Sequence, residues 1–232
     1  MKFLKISYLL FFCLALEAVI VDTGHANVSL VKFESLEGDR SKTLLGIKMD
    51  MQENWHTYWK NPGDSGGPIK VKWSHDNNIS ISKIYWPTPT LIPYEPLMTY
   101  GYKNFVIFPF EITNSNNKNS YIEANIDFLI CDDICVPEKA LIKTNLDEIK
   151  SDPSLNDWFL KVPDQILPVK ASVDSEYINI RFSSPFDVSS AIFFVDEQDI
   201  VEHAENQKLS KEENNYLLSI KKVNYLESFE NL

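Results

Sequence analysis

The chain has 232 residues, with 33 acidic against 22 basic side chains and a formal net charge of −11. That balance excludes nucleic acid and anionic membrane surfaces as natural partners, since both would repel it. Three cysteines are too few for a disulfide-built scaffold, and only Cys131 and Cys135 lie close together.

The first residues have the layout of a secretory leader. Lys2 and Lys5 supply a positive start, Ile6 to Val21 is apolar apart from Ser7 and Glu17, and Gly24-His25-Ala26 offers small residues where a signal peptidase looks for them. The stretch is short for a membrane span and contains an acid. It predicts removal of residues 1–26 by cleavage near Ala26 and a periplasmic location. Cys13 follows Phe11-Phe12 rather than the small residues that precede a lipid-modified cysteine. The charges of Lys2, Lys5, Glu17 and Asp22 cancel, so the exported chain keeps its acidity.

Beyond the leader, β-prone runs are separated by Gly and Pro. Val28 to Phe33 and Thr43 to Met49 show partial alternation, and Ile69-Lys-Val-Lys-Trp73 alternates with period two. Trp55-His-Thr-Tyr-Trp59 reads as a strand running into a turn at Asn61-Pro-Gly-Asp64. Trp86-Pro-Thr-Pro89 and Pro93-Tyr-Glu-Pro96 read as extended loops. Asn104 to Ile112 is nearly all apolar and suits a strand buried on both faces, and Asn114 to Ser120 is a polar hairpin loop. Tyr121 to Ile130 alternates again and leads into Cys131. The pattern predicts an all-β fold, a sandwich or a barrel, over residues 27–148. Ser151-Asp-Pro-Ser then resembles a helix entry, with Leu155, Trp158, Phe159 and Val162 near helical spacing. A helical linker is expected over 149–168, followed by a second, smaller β-domain over 169–232. Its expected strands are Lys170–Asp174, Tyr177–Phe182, Ala191–Val195 and Tyr216–Ile220.

The chemistry-bearing segment is Cys131-Asp-Asp-Ile-Cys135-Val-Pro137. Fully extended, residues four apart are roughly 13 Å apart, whereas a disulfide needs Cα atoms within about 7 Å. The pair can bond only if the chain turns sharply between them. Three uses remain open. A structural staple is the common role in exported proteins, although closing so short a loop restrains the unfolded chain by only about 2 kcal/mol. A metal site would need more ligands, and His56, His75 and His203 are scattered. A redox pair in a short accessible loop is the third. Asp132 and Asp133 disfavour a thiolate beside them, which suits a carrier that waits for a partner to activate it. The aromatic segments and His56 read as packing residues. No nucleophile motif accompanies His56, and Gly63 to Gly67 lacks the lysine of a phosphate-cradling loop.

Four separated motifs, in order, resemble the amino-terminal periplasmic domain of DsbD/ScsB-type thiol:disulfide interchange proteins. They are Trp55 to Gly66, Trp86 to Pro89, Tyr100-Gly-Tyr102 and Cys131 to Pro137, and the resemblance covers about residues 28–145. A weaker echo, at Ala191 to Val195 and Ile200 to Ala204, is similar to the second β-domain of the ScsB-like branch. The resemblance implies an immunoglobulin-like sandwich with Cys131 and Cys135 as its redox cysteines. Asp132, Asp133 and Pro137 are then their surroundings, and a loop caps the pair. Tyr94 and Glu95, with Tyr100 and Tyr102, are the residues that best match that cap. It further implies a membrane-embedded thiol donor and periplasmic thioredoxin-like or disulfide-isomerase-type partners. Separately, no cofactor and no metal are expected. The C-x₃-C spacing matches the ScsB-like branch, whereas DsbD spaces its cysteines more widely. The sequence carries neither a membrane electron conduit nor a thioredoxin-type C-x-x-C domain. Reducing power must therefore come from another protein, or the chain is a piece of something longer.

Overall fold

In the computed structural model, residues 19–34, 42–114, 119–164, 166–213 and 215–224 are described, and their regular structure is nearly all β. The strands are β1 (Ile20–Asp22), β2 (Ala26–Lys32), β3 (Lys42–Met51), β4 (His56–Gly63), β5 (Lys70–His75) and β6 (Ile79–Ile81). They continue with β7 (Thr90–Tyr94), β8 (Leu97–Lys103), β9 (Phe105–Asn114), β10 (Tyr121–Cys131) and β11 (Cys135–Asn145). A 3₁₀ turn (Pro153–Leu155) and a short helix α1 (Asn156–Phe159) precede β12 (Val169–Val173), β13 (Tyr177–Phe182), β14 (Lys208–Glu212) and β15 (Asn215–Lys221).

Two sheets form an immunoglobulin-like sandwich. One runs β1-β2-β3-β9-β6; the other runs β11-β10-β4-β8-β7, with β5 also paired to β10. The period-two pattern explains the layering. Val28 and Leu30 of β2, with Leu45, Ile47 and Met49 of β3, face Ile122, Ile126 and Ile130 of β10 and Ala140 and Ile142 of β11 across one core. Each of the larger side chains among these contributes about 1.5–3 kcal/mol on burial. The apolar run before Asn114 behaves as its composition predicts: Val106, Ile107, Phe108 and Phe110 of β9 are all fully buried. Phe108 and Phe110 face the sandwich core, while Ile107 joins Phe33 and Leu155 on the outer side of the sheet.

The folded unit begins before the expected boundary at residue 27. Strand β1 pairs antiparallel with β2, Val21 opposite Val28. Residues 1–18, which hold most of the expected leader, and most of the polar hairpin loop, residues 115–118, lie outside the described residues.

The helical connector is shorter than the spacing predicts. Asp152 caps its first turn by accepting from the Ser154 amide, with Pro153 at the start. It is also less of a free link than expected, because Trp158 packs on Phe105 and Phe159 on Phe33. The second unit is a four-stranded sheet, β12-β13-β15-β14, over a small core of Ile178, Ile180, Val195, Val201, Leu218 and Ile220. Ala191 to Val195, expected as a strand, forms none. Its backbone is satisfied differently: the Gln207 amide accepts from the Phe193 N–H and donates to the Phe193 carbonyl, in place of a neighbouring strand.

The two units touch along a bulge in β4, where the pairing with β8 shifts register between Tyr58 and Gly63. The buried Asn61 amide donates to the Val195 and Glu197 carbonyls, Lys60 pairs with Asp196 at 2.5 Å, and Trp59 meets Phe194 edge-on. The sequence reading treats Asn-Pro-Gly-Asp as a turn that ends a strand. Here it is the seat of the second unit. Among the described residues no helix is long and apolar enough to cross a membrane.

Candidate redox site

The cysteine segment closes a hairpin. Strands β10 and β11 pair without interruption from Tyr121 opposite Asn145 to Cys131 opposite Cys135, so the last rung carries both sulfurs. They are joined as a disulfide with Cα atoms 4.2 Å apart. Asp132, Asp133 and Ile134 make the turn, held by an Asp132 amide donating to the Ile134 carbonyl. The geometric demand read from the spacing is thus met by a three-residue loop, and its side chains face solvent; Ile134 is 67% exposed.

The two sulfurs sit in unlike surroundings. Cys131 is 1% exposed, whereas Cys135 belongs to an exposed residue. From β4, Tyr58 sends its hydroxyl between them, donating to Cys131 Sγ at 2.6 Å and lying 3.2 Å from Cys135 Sγ. Burial pushes the Tyr58 phenol up to about 12, so it stays a donor across physiological pH. The ring fits only because residue 66 is glycine: at φ +99°, a Cβ there would lie 2.0 Å from the Tyr58 ring. His56, opposite Cys131 where β10 meets β4, meets Tyr58 edge-on. Burial first, and then the Lys103 charge, lower its pKa, against an opposing pull from Asp132. It is therefore neutral at pH 7. Sequence reasoning missed Tyr58 as a site residue, and only its place in the Trp-His-Thr-Tyr-Trp run marks it.

A cavity of about 250 Å³ opens beside the disulfide. His56, Tyr58, Asp132 and Asp133 line one side, and Ile92, Pro93, Tyr94 and Leu97 the other. The last four belong to β7 and β8, which pair Tyr94 with Leu97 around Glu95-Pro96; the expected extended loop is a β-hairpin. Tyr94, 58% exposed, stands at the mouth, and Glu95 occupies the exposed turn outside the lining. Tyr100 and Tyr102 are not at this mouth. Both are buried in β8, with the Tyr102 hydroxyl donating to the Pro87 carbonyl and the Tyr100 hydroxyl 3.0 Å from His203 Nδ1. Pro137 lies apart too, in a second depression with Glu138 and Lys139. Asp132 and Asp133 flank the sulfurs as the sequence implies. Among the described residues no three His, Cys, Asp or Glu side chains converge as a metal site would require.

Residues 27–146 match the family described as thiol:disulfide interchange protein DsbD, N-terminal. No curated protein matches the sequence. Among solved structures, the N-terminal periplasmic domain of ScsB from Proteus mirabilis is similar, with a TM-score of 0.65 at 16% sequence identity. The match covers 88% of this chain and 83% of that one, so the shared fold extends past the first sandwich.

Proposed function

We propose, on the premise that this chain belongs to the DsbD amino-terminal domain family, that it relays reducing equivalents between partner proteins through Cys131 and Cys135. The observation that carries the reading is the asymmetry of the pair: Cys135 is an exposed residue beside a cavity, whereas Cys131 is buried and hydrogen-bonded to Tyr58. Loading begins when a donor thiolate attacks Cys135 Sγ. The Cys131–Cys135 bond breaks, a mixed disulfide forms, and Cys131 leaves as a thiolate that receives the Tyr58 hydrogen bond. The donor's second thiolate then attacks its own bonded sulfur and frees Cys135. The donor ends as a disulfide, and this chain holds two electrons and two protons more than before. Delivery reverses the roles: the Cys135 thiolate attacks a client disulfide, and Cys131 resolves the intermediate.

The donor in this proposal is a membrane-embedded thiol protein, and the clients are periplasmic thioredoxin-like or isomerase-type proteins. Export behind a cleaved leader belongs to the same reading, supported by the leader-like start and by the periplasmic origin of the similar ScsB domain. The β7–β8 hairpin is the cap in this scheme, with Tyr94 at the mouth. Trapping tests it. Cys131→Ser leaves the exposed sulfur unable to resolve, and should accumulate disulfide-linked partners that Cys135→Ser does not. If neither variant captures a partner, and the oxidised protein has a reduction potential below about −300 mV, the pair is a structural bridge.

A further inference from the structure

Just behind the redox hairpin, the segment Val19–Ala26 is built into the fold. Strand β1 extends the sheet beyond β2, and Val21 packs against the main core. The turn after it closes on Glu138 of β11, three residues from Cys135. Thr23 Oγ1 donates to one carboxylate oxygen, and His25 Nδ1 lies 2.5 Å from the other. The His25 ring stacks on Trp55 with centroids 3.9 Å apart, and the Gln52 amide donates to the Gly24 carbonyl. The Glu138 side chain is only 6% exposed. One clasp therefore ties the start of β11, which carries Cys135, to the residue preceding β4, which carries His56 and Tyr58.

Cleavage after Ala26 would remove Thr23 and His25 together. A buried carboxylate would lose both of its side-chain partners among the described residues, Trp55 would lose its stacked ring, and β2 would become a bare sheet edge. A leader that ended there would destroy part of the domain it delivers. We propose that Val19–Ala26 is a permanent part of the exported protein and that the processing cut falls at or before Val19. The proposal rests on the reading that the chain is exported. The sequence allows such a cut: Ala18 and Ala15 are each a small residue of the kind accepted at the last removed position, and the apolar run Ile6 to Leu16 suffices for a leader.

The test is to express the full 232-residue sequence in a bacterium with a periplasm and determine the first residue of the periplasmic product by intact mass and terminal sequencing. A first residue at or before Val19 is expected, and Asn27 as the first residue overturns the proposal. A product found only in the cytoplasm with Met1 intact instead overturns the export reading. In that case retention is judged by a second comparison, between leaderless chains starting at Val19 and at Asn27. The shorter chain should have its folding equilibrium lowered by roughly tenfold or more, or fail to fold while the longer one folds. Equal stability of the two chains overturns the claim that the segment belongs to the fold.

Discussion

Tyr58 and Gly66 form a unit in which one residue exists to admit the other. The Tyr58 hydroxyl is placed to donate to whichever sulfur carries charge, and Cys131 is the nearer. Replacing it with phenylalanine keeps the ring and removes the donor. A hydrogen bond to a charged group contributes about 1.5–3 kcal/mol, so Tyr58→Phe should slow reduction by dithiothreitol roughly tenfold or more while unfolding in urea changes little. With the phenol pushed up to about 12, that rate ratio should stay constant from pH 6 to pH 9. Gly66→Ala acts through shape instead. Its Cβ would meet the Tyr58 ring at 2.0 Å, and φ +99° is strained for any side chain. We expect a loss of about 1–3 kcal/mol in urea unfolding, with the tyrosine displaced from the sulfurs. An alanine variant as stable as the parent would refute the packing argument.

At the scale of elements, the β7–β8 hairpin lines the cavity beside the disulfide and is its proposed cap. Ile92 is buried beneath it, whereas Tyr94 and Leu97 overhang the cavity with half-free side chains. Tyr94→Ala should therefore leave the hairpin paired and open the mouth, raising the rate at which a bulky thiol such as glutathione reduces the disulfide. An unchanged glutathione rate, with the variant folded, would show that Tyr94 does not gate access. This element was only half legible in the sequence. Pro93 and Pro96 argue for a loop, yet the pairing from Thr90 opposite Gly101 to Tyr94 opposite Leu97 leaves both prolines near the tip of an edge hairpin, where a missing N–H costs little. Tyr100 and Tyr102 matched the cap by motif. Their hydroxyls bind inward, to His203 and Pro87, which no sequence spacing encodes. By contrast, the alternation from Tyr121 to Ile130 was readable because one of its faces lies wholly in the core. Ala191–Val195 misled for the opposite reason: its apolar run packs against the first unit and its own small core without joining a ladder.

Across the whole molecule, the seam between the two units carries a titratable group. The Tyr100 hydroxyl, its phenol raised to about 12 by burial and by Asp64, stays protonated and lies 3.0 Å from His203 Nδ1. A neutral His203 ring can accept a hydrogen bond from that hydroxyl. Burial lowers its pKa from the ordinary 6.5, outweighing the pull of Asp64, Asp199 and Glu202 in the other direction. His56 is lowered as well, chiefly by burial. Below pH 6.5 the unfolded chain binds protons at both histidines before the folded chain does. Stability should thus be level above about pH 7 and fall as pH drops through 6.5 towards the lowered folded values. The carboxylates held down by hydrogen bonds, such as Asp174 and Asp187, add their losses only below the ordinary 3.8. His203→Gln separates the contributions, because its amide oxygen can still accept from Tyr100 but takes up no proton. Urea unfolding of the variant between pH 5 and pH 8 should show a shallower decline than the parent, the remainder belonging to His56. Identical slopes would mean that His203 is not held neutral at the seam, and that protonation leaves the docking of the second unit on Tyr100 untouched.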